Sequence, residues 1–554
     1  MNRTVFFILI FWGFGLMSCL AQQTNSKPPF THADTLRGSI TEERAWWDVT
    51  YYNIHIRPDY EKKFISGTNE IKFKVIKKGK TMQIDLQEPL RIKTISWNNQ
   101  SLQYTRSGNV FFVTFPSLLE PGKEETINVS FDGSPQIAKH PPWDNGWIFT
   151  KDKMGRPWMT VTCEGLGASA WFPCKDHLSD EPDDGASLSI TVPDTLIAIG
   201  NGRLQEKKNN ADGTTTYTWA VVNPINNYNI IPYIGKYVTW HEDYQGEKGK
   251  LDCDYWVLDY DLDKAKIQFR EVDSMLKCFE YWFGPYPFYE DGYKLIEAPH
   301  LGMEHQSAVA YGNGFQKGYS GKDLSGTGWG MKWDFIIVHE SGHEWFGNNI
   351  SCKDIADEWI HEGFTCYSET IYTEYYFGKE AGNEYNRGIR KNIVNKTPII
   401  RKYGVNTGPD DTDEYYKGSN MIQAIRLIID NDSLFRQILR GLNKTFYHQT
   451  VTTKQIEDYI SINAKINFSK VFDQYLRTTK IPVLQYKQNG YALSYRWSNC
   501  VKGFNMPLKI NFKGSRWIRP TEKWQHLSLY PEGDKNFSVD KNFYIDIKKS
   551  ESEF

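Results

Sequence analysis

The sequence predicts an α+β multidomain protein with an N-terminal antiparallel β domain, a mostly helical central domain and a small C-terminal β-sandwich-like domain. Its 554 residues suffice for three or four domains of roughly 150 residues each. Apolar and polar residues alternate early in the chain, helical spacing of apolar residues follows, and short alternating segments return near the end. The predicted segments are an export signal over residues 1–21 and domains over residues 40–240, 241–479 and 480–554.

Composition excludes some classes of protein. The chain has 65 Lys and Arg against 67 Asp and Glu, a net charge of −2, so it has no cationic excess for binding nucleic acid. Its 19 Trp, 33 Tyr and 31 Phe argue against disorder. The eight cysteines include no C-x-x-C pair, which argues against a thiolate metal cluster and a dense disulfide framework but allows one or two disulfides.

The first residues are typical of an export signal. Arg3 precedes an apolar run, Val5–Leu16, which is too short to span a bilayer. Two processing routes fit: Leu16-Met17-Ser18-Cys19 resembles a lipobox with lipidation at Cys19, and small residues up to Ala21 also suit ordinary cleavage. We expect a bacterial periplasmic, outer-membrane or cell-surface lipoprotein, or alternatively a secreted protein. A lipid on Cys19 would anchor the chain to a membrane.

Strand patterns dominate from residue 48 to about residue 237. Tyr52–Ile56 and Glu70–Val75 alternate with period two, as half-buried strands do. Turn-forming residues interrupt the pattern at 99–101, 120–122 and 210–213. These segments predict the large antiparallel β domain.

The pattern changes near Asp261. Asp263–Ile267 opens a stretch with helical spacing that includes Met275, Phe279 and Trp282, and helices are predicted to about Leu476. Short strands return at 491–495 and 508–512. The last ten residues are polar.

The strongest chemical signal is an H-E-x-x-H motif at residues 339–343. Residues four apart share one face of a helix, so His339 and His343 can bind one ion while Glu340 lies beside it. The preceding apolar run, Phe335–Val338, favours a buried helix. The alternative is a helix whose two histidines merely share a polar face.

A second segment supplies a third ligand. Glu362 follows His343 after 18 residues, at the start of another predicted helix that ends near Gly378. Two His and one Glu leave a fourth position for water, which is the pattern of catalytic zinc. Zinc lowers the pKa of bound water to roughly 7, and Glu340 can then act as general base for amide hydrolysis. Asp357 either accepts a hydrogen bond from a ligand imidazole or is an exposed acid in the first helical turn.

These segments resemble the aminopeptidase N type of gluzincin zinc metallopeptidases, peptidase family M-one, in a short form. The family also contains a leukotriene-epoxide hydrolase. The resemblance covers nearly the whole mature chain and implies a thermolysin-like catalytic domain. Besides the two zinc segments, it rests on Leu301–His305 in place of a Gly-x-Met-Glu-Asn motif, Tyr415–Gly418 matching Tyr-x-Lys-Gly, Thr162–Glu164 and Trp171–Asp176.

The resemblance assigns roles to further residues. It implies that Glu304, with Glu164 assisting, binds the free α-amino group of a substrate, and it places Gly302 and Met303 in the same substrate-binding motif. An α-ammonium group favours acidic acceptors, and carboxylates close to the metal admit only one residue before the scissile bond. The resemblance also implies that the hydroxyl of Tyr415 donates to the developing oxyanion, a contribution of a few kcal/mol. An offset of one residue would give that role to Tyr416.

The chain departs from the family pattern in four respects. Leu301 replaces a frequent Gly, and His305 and His361 each replace an Asn. Neighbouring residues on a helix point about 100° apart, so we interpret His361 as a packing group rather than a ligand. The helical C-terminal domain of longer relatives is not expected here, which predicts a more open cleft and weaker selectivity for very short peptides.

The sequence therefore predicts a zinc-dependent aminopeptidase that binds one Zn²⁺ through His339, His343 and Glu362. It would cleave N-terminal residues from peptides or proteins through a zinc-activated water, with no nucleic acid and no obligate protein partner. The alternatives are an epoxide hydrolase that uses the same zinc site, a non-catalytic surface binding protein, and a thermolysin-type endopeptidase.

Overall fold

The structure is a computed structural model that describes residues 30–407, 411–511, 514–529 and 537–550. The predicted export signal and Cys19 lie outside these residues. Within them, no helix has both the length and the apolar character to cross a membrane. The predicted α+β multidomain class is confirmed by the order of elements along the chain.

The first part of the described chain is built almost entirely of strands. A short helix precedes them, started by a capping box in which Thr31 and Asp34 exchange hydrogen bonds. The elements are α1 (His32–Gly38), β1 (Trp47–Asp59), β2 (Phe64–Val75), β3 (Gly79–Asp85), β4 (Arg91–Trp97), β5 (Gln100–Ser101), β6 (Gln103–Ser107), β7 (Val110–Leu119), β8 (Glu124–Gly133), β9 (Gly146–Lys151), β10 (Pro157–Thr162), β11 (Ala186–Pro193), β12 (Ile197–Ile199), β13 (Arg203–Asn209), β14 (Thr214–Val221) and β15 (Tyr233–Gly235).

These strands form three sheets. The largest has the order β13-β14-β11-β1-β2-β8-β4-β5, and the others have the orders β3-β7-β6 and β12-β15-β10-β9. The alternation predicted for β1 and β2 is present, because Ile54, Ile56, Ile71 and Phe73 are buried on one face. Most pairs are antiparallel as predicted, but β1 and β11 pair in parallel.

The central part combines a five-stranded sheet and the two-stranded sheet β21-β22 with most of the helices. The five-stranded sheet has the order β16-β17-β18-β20-β19, which leaves β19 at an edge. The elements are β16 (Tyr237–Gly246), β17 (Gly249–Leu258), α2 (Leu262–Gln268), α3 (Glu271–Phe283), β18 (Tyr293–Glu297), β19 (Gly302–Met303), β20 (Val309–Tyr311), α4 (Phe335–Gly342), β21 (Ile350–Cys352), α5 (Trp359–Phe377), α6 (Lys379–Gly388), α7 (Asp413–Ile429), α8 (Asp432–Thr445), β22 (Gln449–Val451), α9 (Thr453–Ala464) and α10 (Ser469–Leu476).

After Leu476 the described residues contain strands and no helix. The strands form two small sheets with the orders β27-β24-β23-β29 and β26-β25-β28. They are β23 (Val483–Asn489), β24 (Ala492–Ser498), β25 (Leu508–Asn511), β26 (Ser515–Ile518), β27 (Gln525–Ser528), β28 (Ser538–Val539) and β29 (Asp546–Lys549).

Two hydrophobic cores hold the fold together. One lies among the N-terminal sheets and includes Trp47, Phe73 and Trp171. The other includes Trp359 from the helical part and Trp497 from the C-terminal strands. Within the described residues, the C-terminal strands therefore continue the core of the helices and do not bury a separate one. The seven cysteines of the described residues are all free thiols, so none of the possible disulfides forms among them.

Candidate active site

Helix α4 carries the H-E-x-x-H motif into the protein interior. Its N-cap, Asp334, accepts hydrogen bonds from the backbone N–H groups of Ile336 and Ile337, which fixes the start of the helix. Every residue of α4 is buried, including His339 and Glu340. His343 follows as the C-cap in helical conformation and is also buried, so the predicted i, i+4 geometry is kept.

Three side chains converge on one point. Nε2 of His339 lies 3.6 Å from Oε2 of Glu362, and Nε2 of His343 lies 3.5 Å from the same oxygen. Two ligands bound about 2.1 Å from a tetrahedral zinc ion lie about 3.4 Å apart, so both separations suit one such ion. Oε2 of Glu362 is buried and has no hydrogen-bond partner in the described residues. An unsatisfied carboxylate oxygen beside two imidazole nitrogens fits a divalent cation.

The other nitrogen of each imidazole is already engaged. Nδ1 of His339 lies 2.7 Å from Oε1 of Glu369, and Nδ1 of His343 lies 3.0 Å from the carbonyl oxygen of Phe346. These acceptors hold the proton on Nδ1 and leave the Nε2 lone pair for a metal. Tyr385 donates to Oε2 of Glu369 at 2.6 Å, which fixes that carboxylate in turn.

Glu340 lies beside the convergence point, under the edge strand β19. A Cβ on Gly302 would come 2.7 Å from Oε1 of Glu340 and 2.9 Å from Cγ2 of Ile336, so only glycine allows the strand to pass so close. Burial raises the pKa of Glu340 to about 8, although the neighbouring charge of His339 opposes this. A carboxyl group with a pKa near neutrality is suited to receive and return a proton.

Glu304 is held at the end of the same strand. Its Oε1 accepts a hydrogen bond from Tyr228 at 2.9 Å, and its backbone oxygen accepts one from the side chain of Asn348 at 2.8 Å. Glu164 approaches from the loop after β10. Burial, and then the charge of Glu304, raises its pKa well above the usual range, as expected for two carboxylates that share one site.

Tyr415 lies in the first turn of α7. Its ring stacks on that of His339, with centroids 6.0 Å apart and planes 15° apart. Tyr416 also lines the site, but its side chain has no ring contact with either histidine. The geometry therefore distinguishes the two tyrosines, and Tyr415 is the one beside the convergence point.

The predicted site residues meet in a single cleft of about 740 Å³. The predicted site residues in its lining are Glu164, Gly302, Met303, Glu304, His339, Glu340, His343, Glu362 and Tyr415. Among the residues that the structure describes, eight with carboxyl groups line the cleft. Its chemistry is that of an acidic chamber around one cation site.

The expectations for three neighbouring residues have mixed outcomes. Asp357 is buried, and its carboxylate accepts hydrogen bonds from Tyr403 and Thr453, so neither interpretation of it is correct. His361 accepts a hydrogen bond from the backbone N–H of Cys352, consistent with a packing role. His305 is buried and hydrogen-bonds through Nδ1 with the hydroxyl of Tyr233, beneath the strand that carries Glu304.

Sequence reasoning missed two functional neighbours. Glu369 follows Glu362 by seven residues, two turns along one helical face, and this spacing could have identified it as the acceptor for His339. Tyr228, which holds Glu304, has no such signal because it precedes Glu304 by 76 residues.

Comparisons with known proteins agree with this geometry. The model of the Peptidase M1 N-terminal domain matches residues 49–228, and that of the Peptidase family M1 domain matches residues 281–475. A probable aminopeptidase 2 of Sulfurisphaera tokodaii is 20% identical over 88% of this chain and 60% of its own length. The leukotriene A-4 hydrolase of Xenopus laevis is 20% identical over 75% of this chain and 68% of its own length.

A solved structure shares the fold. The M1 zinc metallopeptidase of Deinococcus radiodurans, a variant bound to a Tyr-Ser-Ala substrate, superposes with a TM-score of 0.67 at 21% identity, over 78% of this chain and 95% of the other. The chain spans less than two thirds of the length of the Sulfurisphaera relative. The two regions that match models of this family together cover most of the chain, and the cleft described above contains a ligand set that accommodates one catalytic Zn²⁺. This chain therefore belongs to peptidase family M1.

Proposed function

We propose that the protein is a zinc-dependent aminopeptidase that removes single residues from the N-termini of peptides. The observation that carries this proposal is the placement of Glu304 and Glu164 in the same cleft as the ligand set of His339, His343 and Glu362. Carboxylates beside a metal site accept hydrogen bonds from the free α-ammonium group of a substrate. They disfavour, by charge and by space, a substrate whose chain extends on the N-terminal side of that group.

Three side chains would hold the metal, and the residues around it would transfer the proton and stabilise the developing charge. When bound, zinc polarises the scissile carbonyl group and makes a water molecule acidic enough to lose a proton at neutral pH. Glu340 accepts that proton and then delivers it to the leaving amine. The hydroxyl of Tyr415, beside His339, donates a hydrogen bond to the oxygen of the carbonyl as negative charge develops there.

The carboxylates at the other end of the site orient the substrate. Glu304 is already held by Tyr228, so it needs little reorganisation when an ammonium group arrives. Burial, and then the nearby charge of Glu304, raises the pKa of Glu164, and a bound ammonium group would offset that repulsion. Binding of the substrate amine and deprotonation of Glu164 are therefore coupled.

The rival functions fit the cleft less well. An epoxide hydrolase would need a long apolar tunnel, whereas carboxylates crowd the lining of this cleft. A thermolysin-type endopeptidase has no use for Glu304 beside the metal. A non-catalytic binding protein would not be expected to retain Glu340 and Tyr415 in place.

An assay with paired substrates tests the proposal. The purified protein, with and without a chelator, is given aminoacyl anilides with a free or an acetylated α-amino group. We expect hydrolysis of the free-amine substrates only, lost on chelation and restored by added Zn²⁺. Similar rates on the blocked and free substrates would exclude an aminopeptidase and indicate an endopeptidase.

We propose in addition that the chain is exported and acylated at Cys19, which would anchor it to a bacterial membrane as a lipoprotein. The support is the lipobox-like Leu16-Met17-Ser18-Cys19 after an apolar run. Metabolic labelling with a fatty acid tests the proposal, with Cys19→Ala as the control. Labelling of neither form would leave ordinary cleavage and secretion as the route, and labelling of both forms would place the acyl group on a residue other than Cys19.

A further inference from the structure

A second cavity opens directly from the metal cleft. It measures about 660 Å³, and Trp143, Leu301 and Tyr319 line both spaces. We call this second cavity the distal groove. It lies between the β9-β10 hairpin, which contributes Lys151 and Trp158, the loop that joins β18 to β19, and the segment that follows β20. The two cavities together are much larger than one amino-terminal residue requires.

The edge strand β19 sets the direction in which a peptide must run. Strand β19 pairs with β20 on one side only, so its other edge can pair with an extended peptide. Glu304 follows β19, and Leu301, which precedes it, enters the distal groove. With the substrate amine at Glu304 and the scissile bond over Glu340, the residues after that bond run towards Leu301, antiparallel to β19.

The two halves of the cleft carry opposite charges. Carboxylates line the metal half, whereas Lys151 and Lys322 are the exposed charged groups of the distal groove. The ammonium group of Lys322 has no hydrogen-bond or ion-pair partner among the described residues. Among the described lining residues of the groove, only Glu297 carries a carboxylate, which is buried and accepts a hydrogen bond from the backbone N–H of Leu258 at 2.8 Å. A peptide has the same polarity, with an ammonium group at one end and a carboxylate at the other.

Aromatic side chains form the walls of the groove. Trp158, Phe315 and Tyr319 are partly exposed in it, and Trp143 is 69% exposed at its junction with the metal cleft. The loop that presents Trp143 is held in a turn, because Asp144 accepts hydrogen bonds from two backbone N–H groups of the same loop. A large exposed aromatic side chain on such a loop is suited to cover apolar side chains of a ligand.

We propose that the distal groove binds the substrate residues that follow the scissile bond, and that Lys322 recognises a carboxylate among them. The carboxylate can be the C-terminus of a short peptide or an acidic side chain in a longer one. The proposal rests on the proposed aminopeptidase function and specifies its substrates as peptides that extend several residues beyond the cleaved bond. Aminoacyl anilides would occupy only the metal half of the cleft.

The test compares one anilide with three tetrapeptides that share its N-terminal residue. The first peptide has a free C-terminus, the second an amidated C-terminus, and the third an amidated C-terminus with Glu at the fourth position. Lys322→Ala and Trp143→Ala are measured beside Lys277→Ala, a matched change of an exposed lysine on α3. We expect Lys322→Ala to lower kcat/KM for the carboxylate-bearing peptides about tenfold relative to the anilide, through KM, because the contact is equal in ground and transition states.

The substrate series also identifies the source of the carboxylate. A loss confined to the free C-terminus assigns the groove to short peptides, and a loss with the amidated Glu peptide assigns it to acidic side chains. Trp143→Ala should weaken all three peptides relative to the anilide, and Lys277→Ala should change nothing. Equal effects of Lys322→Ala on anilide and peptides, or no effect on either, would overturn the proposal.

A binding measurement separates this proposal from the proposed function. Dissociation constants of the free-acid and amidated peptides are measured with the Glu340→Ala protein, with and without Lys322→Ala. We expect tighter binding of the free acid, and loss of that preference with Lys322→Ala. This result needs no turnover, so it tests the groove even if the wild-type protein cleaves none of the substrates.

Discussion

Two buried polar clusters of this molecule differ in how their charges are balanced. In the N-terminal sheets, Arg44 donates to Asp85 at 2.6 Å and Lys175 forms an ion pair with Asp180. In the metal cleft, Oε2 of Glu362 has no hydrogen-bond partner in the described chain. Burying a charge is costly unless it is paired, so the charges of the first cluster are balanced by their ion pairs and the second cluster suits a cationic ligand.

The surroundings of the two clusters make the same distinction. Nη1 of Arg44 donates to three backbone carbonyl oxygens. The ammonium group of Lys175 donates to the backbone carbonyl oxygen of Trp47 at 2.6 Å. The paired cluster thus fastens the segment before β1 to the sheets. The metal cluster makes few such bonds, and its carboxylates face a cavity. Buried carboxylates that lack cationic partners and face a cavity therefore mark a binding site, and fully paired ones mark a structural joint.

The largest expected effect comes from the unpaired cluster. Glu340→Ala should lower kcat by a factor of about 10²–10⁴, because it removes the proton acceptor and leaves the three metal ligands in place. The measurement is anilide hydrolysis beside zinc content by elemental analysis. Full activity in a protein that retains zinc would show that another group accepts the proton.

Removing one carboxylate from each cluster tests the comparison directly. Asp85→Ala leaves the guanidinium group of Arg44 buried without its partner, so we expect a loss of about 3–5 kcal/mol in the free energy of unfolding. Glu362→Gln in the chelator-treated protein should change that free energy by less than about 1 kcal/mol, because Oε2 of Glu362 has no hydrogen-bond partner among the described residues to lose. Urea titrations of both proteins check this, and equal losses would remove the distinction between the clusters.

A histidine beside the paired cluster should make stability depend on pH. Burial, and then the positive charge of Arg44, lowers the pKa of His177 to about 4. Between that value and an unfolded pKa of about 6.5, the unfolded chain binds one more proton than the folded chain, so stability falls as the pH falls from 6.5 to 4. The contribution of His177 to this loss is on the order of 2–3 kcal/mol.

His177→Gln isolates that contribution. The variant should show a smaller loss of unfolding free energy between pH 6.5 and pH 4 than the wild-type protein. Its amide can replace one of the two hydrogen bonds that the imidazole makes, with Ser179 and with the carbonyl oxygen of Gly38. Parallel pH profiles for the two proteins would mean that His177 takes up its proton equally in the folded and unfolded states, so that folding does not lower its pKa.

Local patterns carried most of what the sequence predicted correctly. The alternation of β1 and β2 and the spacing of His339 and His343 depend only on neighbours in the chain. Such signals follow directly from the periods of strands and helices. Sequence comparison by motif then added Glu304 and Tyr415, which the structure places in the same cleft.

Long-range contacts carried what the sequence did not predict. The parallel pairing of β1 with β11 joins segments about 130 residues apart, and no periodicity records it. Trp497 is buried in the core of the helices. The alternating pattern of its strand shows that one face is buried but not which element covers that face. Asp357 was interpreted from its position in a helical turn, yet contacts with Tyr403 and Thr453, distant in sequence, decide its environment.

The smallest expected effect concerns the orientation of a metal ligand. Glu369→Gln keeps a hydrogen-bond acceptor beside Nδ1 of His339 but removes the negative charge that makes the imidazole a stronger ligand. We expect zinc affinity to fall about 10- to 100-fold, as measured by competition with a chelator. Glu374→Gln is the matched control, because Glu374 lies on the same helix but pairs with Arg426. Since the control breaks a paired contact, it should lower stability and leave zinc affinity unchanged. If Glu369→Gln lowered stability and left zinc affinity unchanged, Glu369 would belong with the structural charges and not with the metal site.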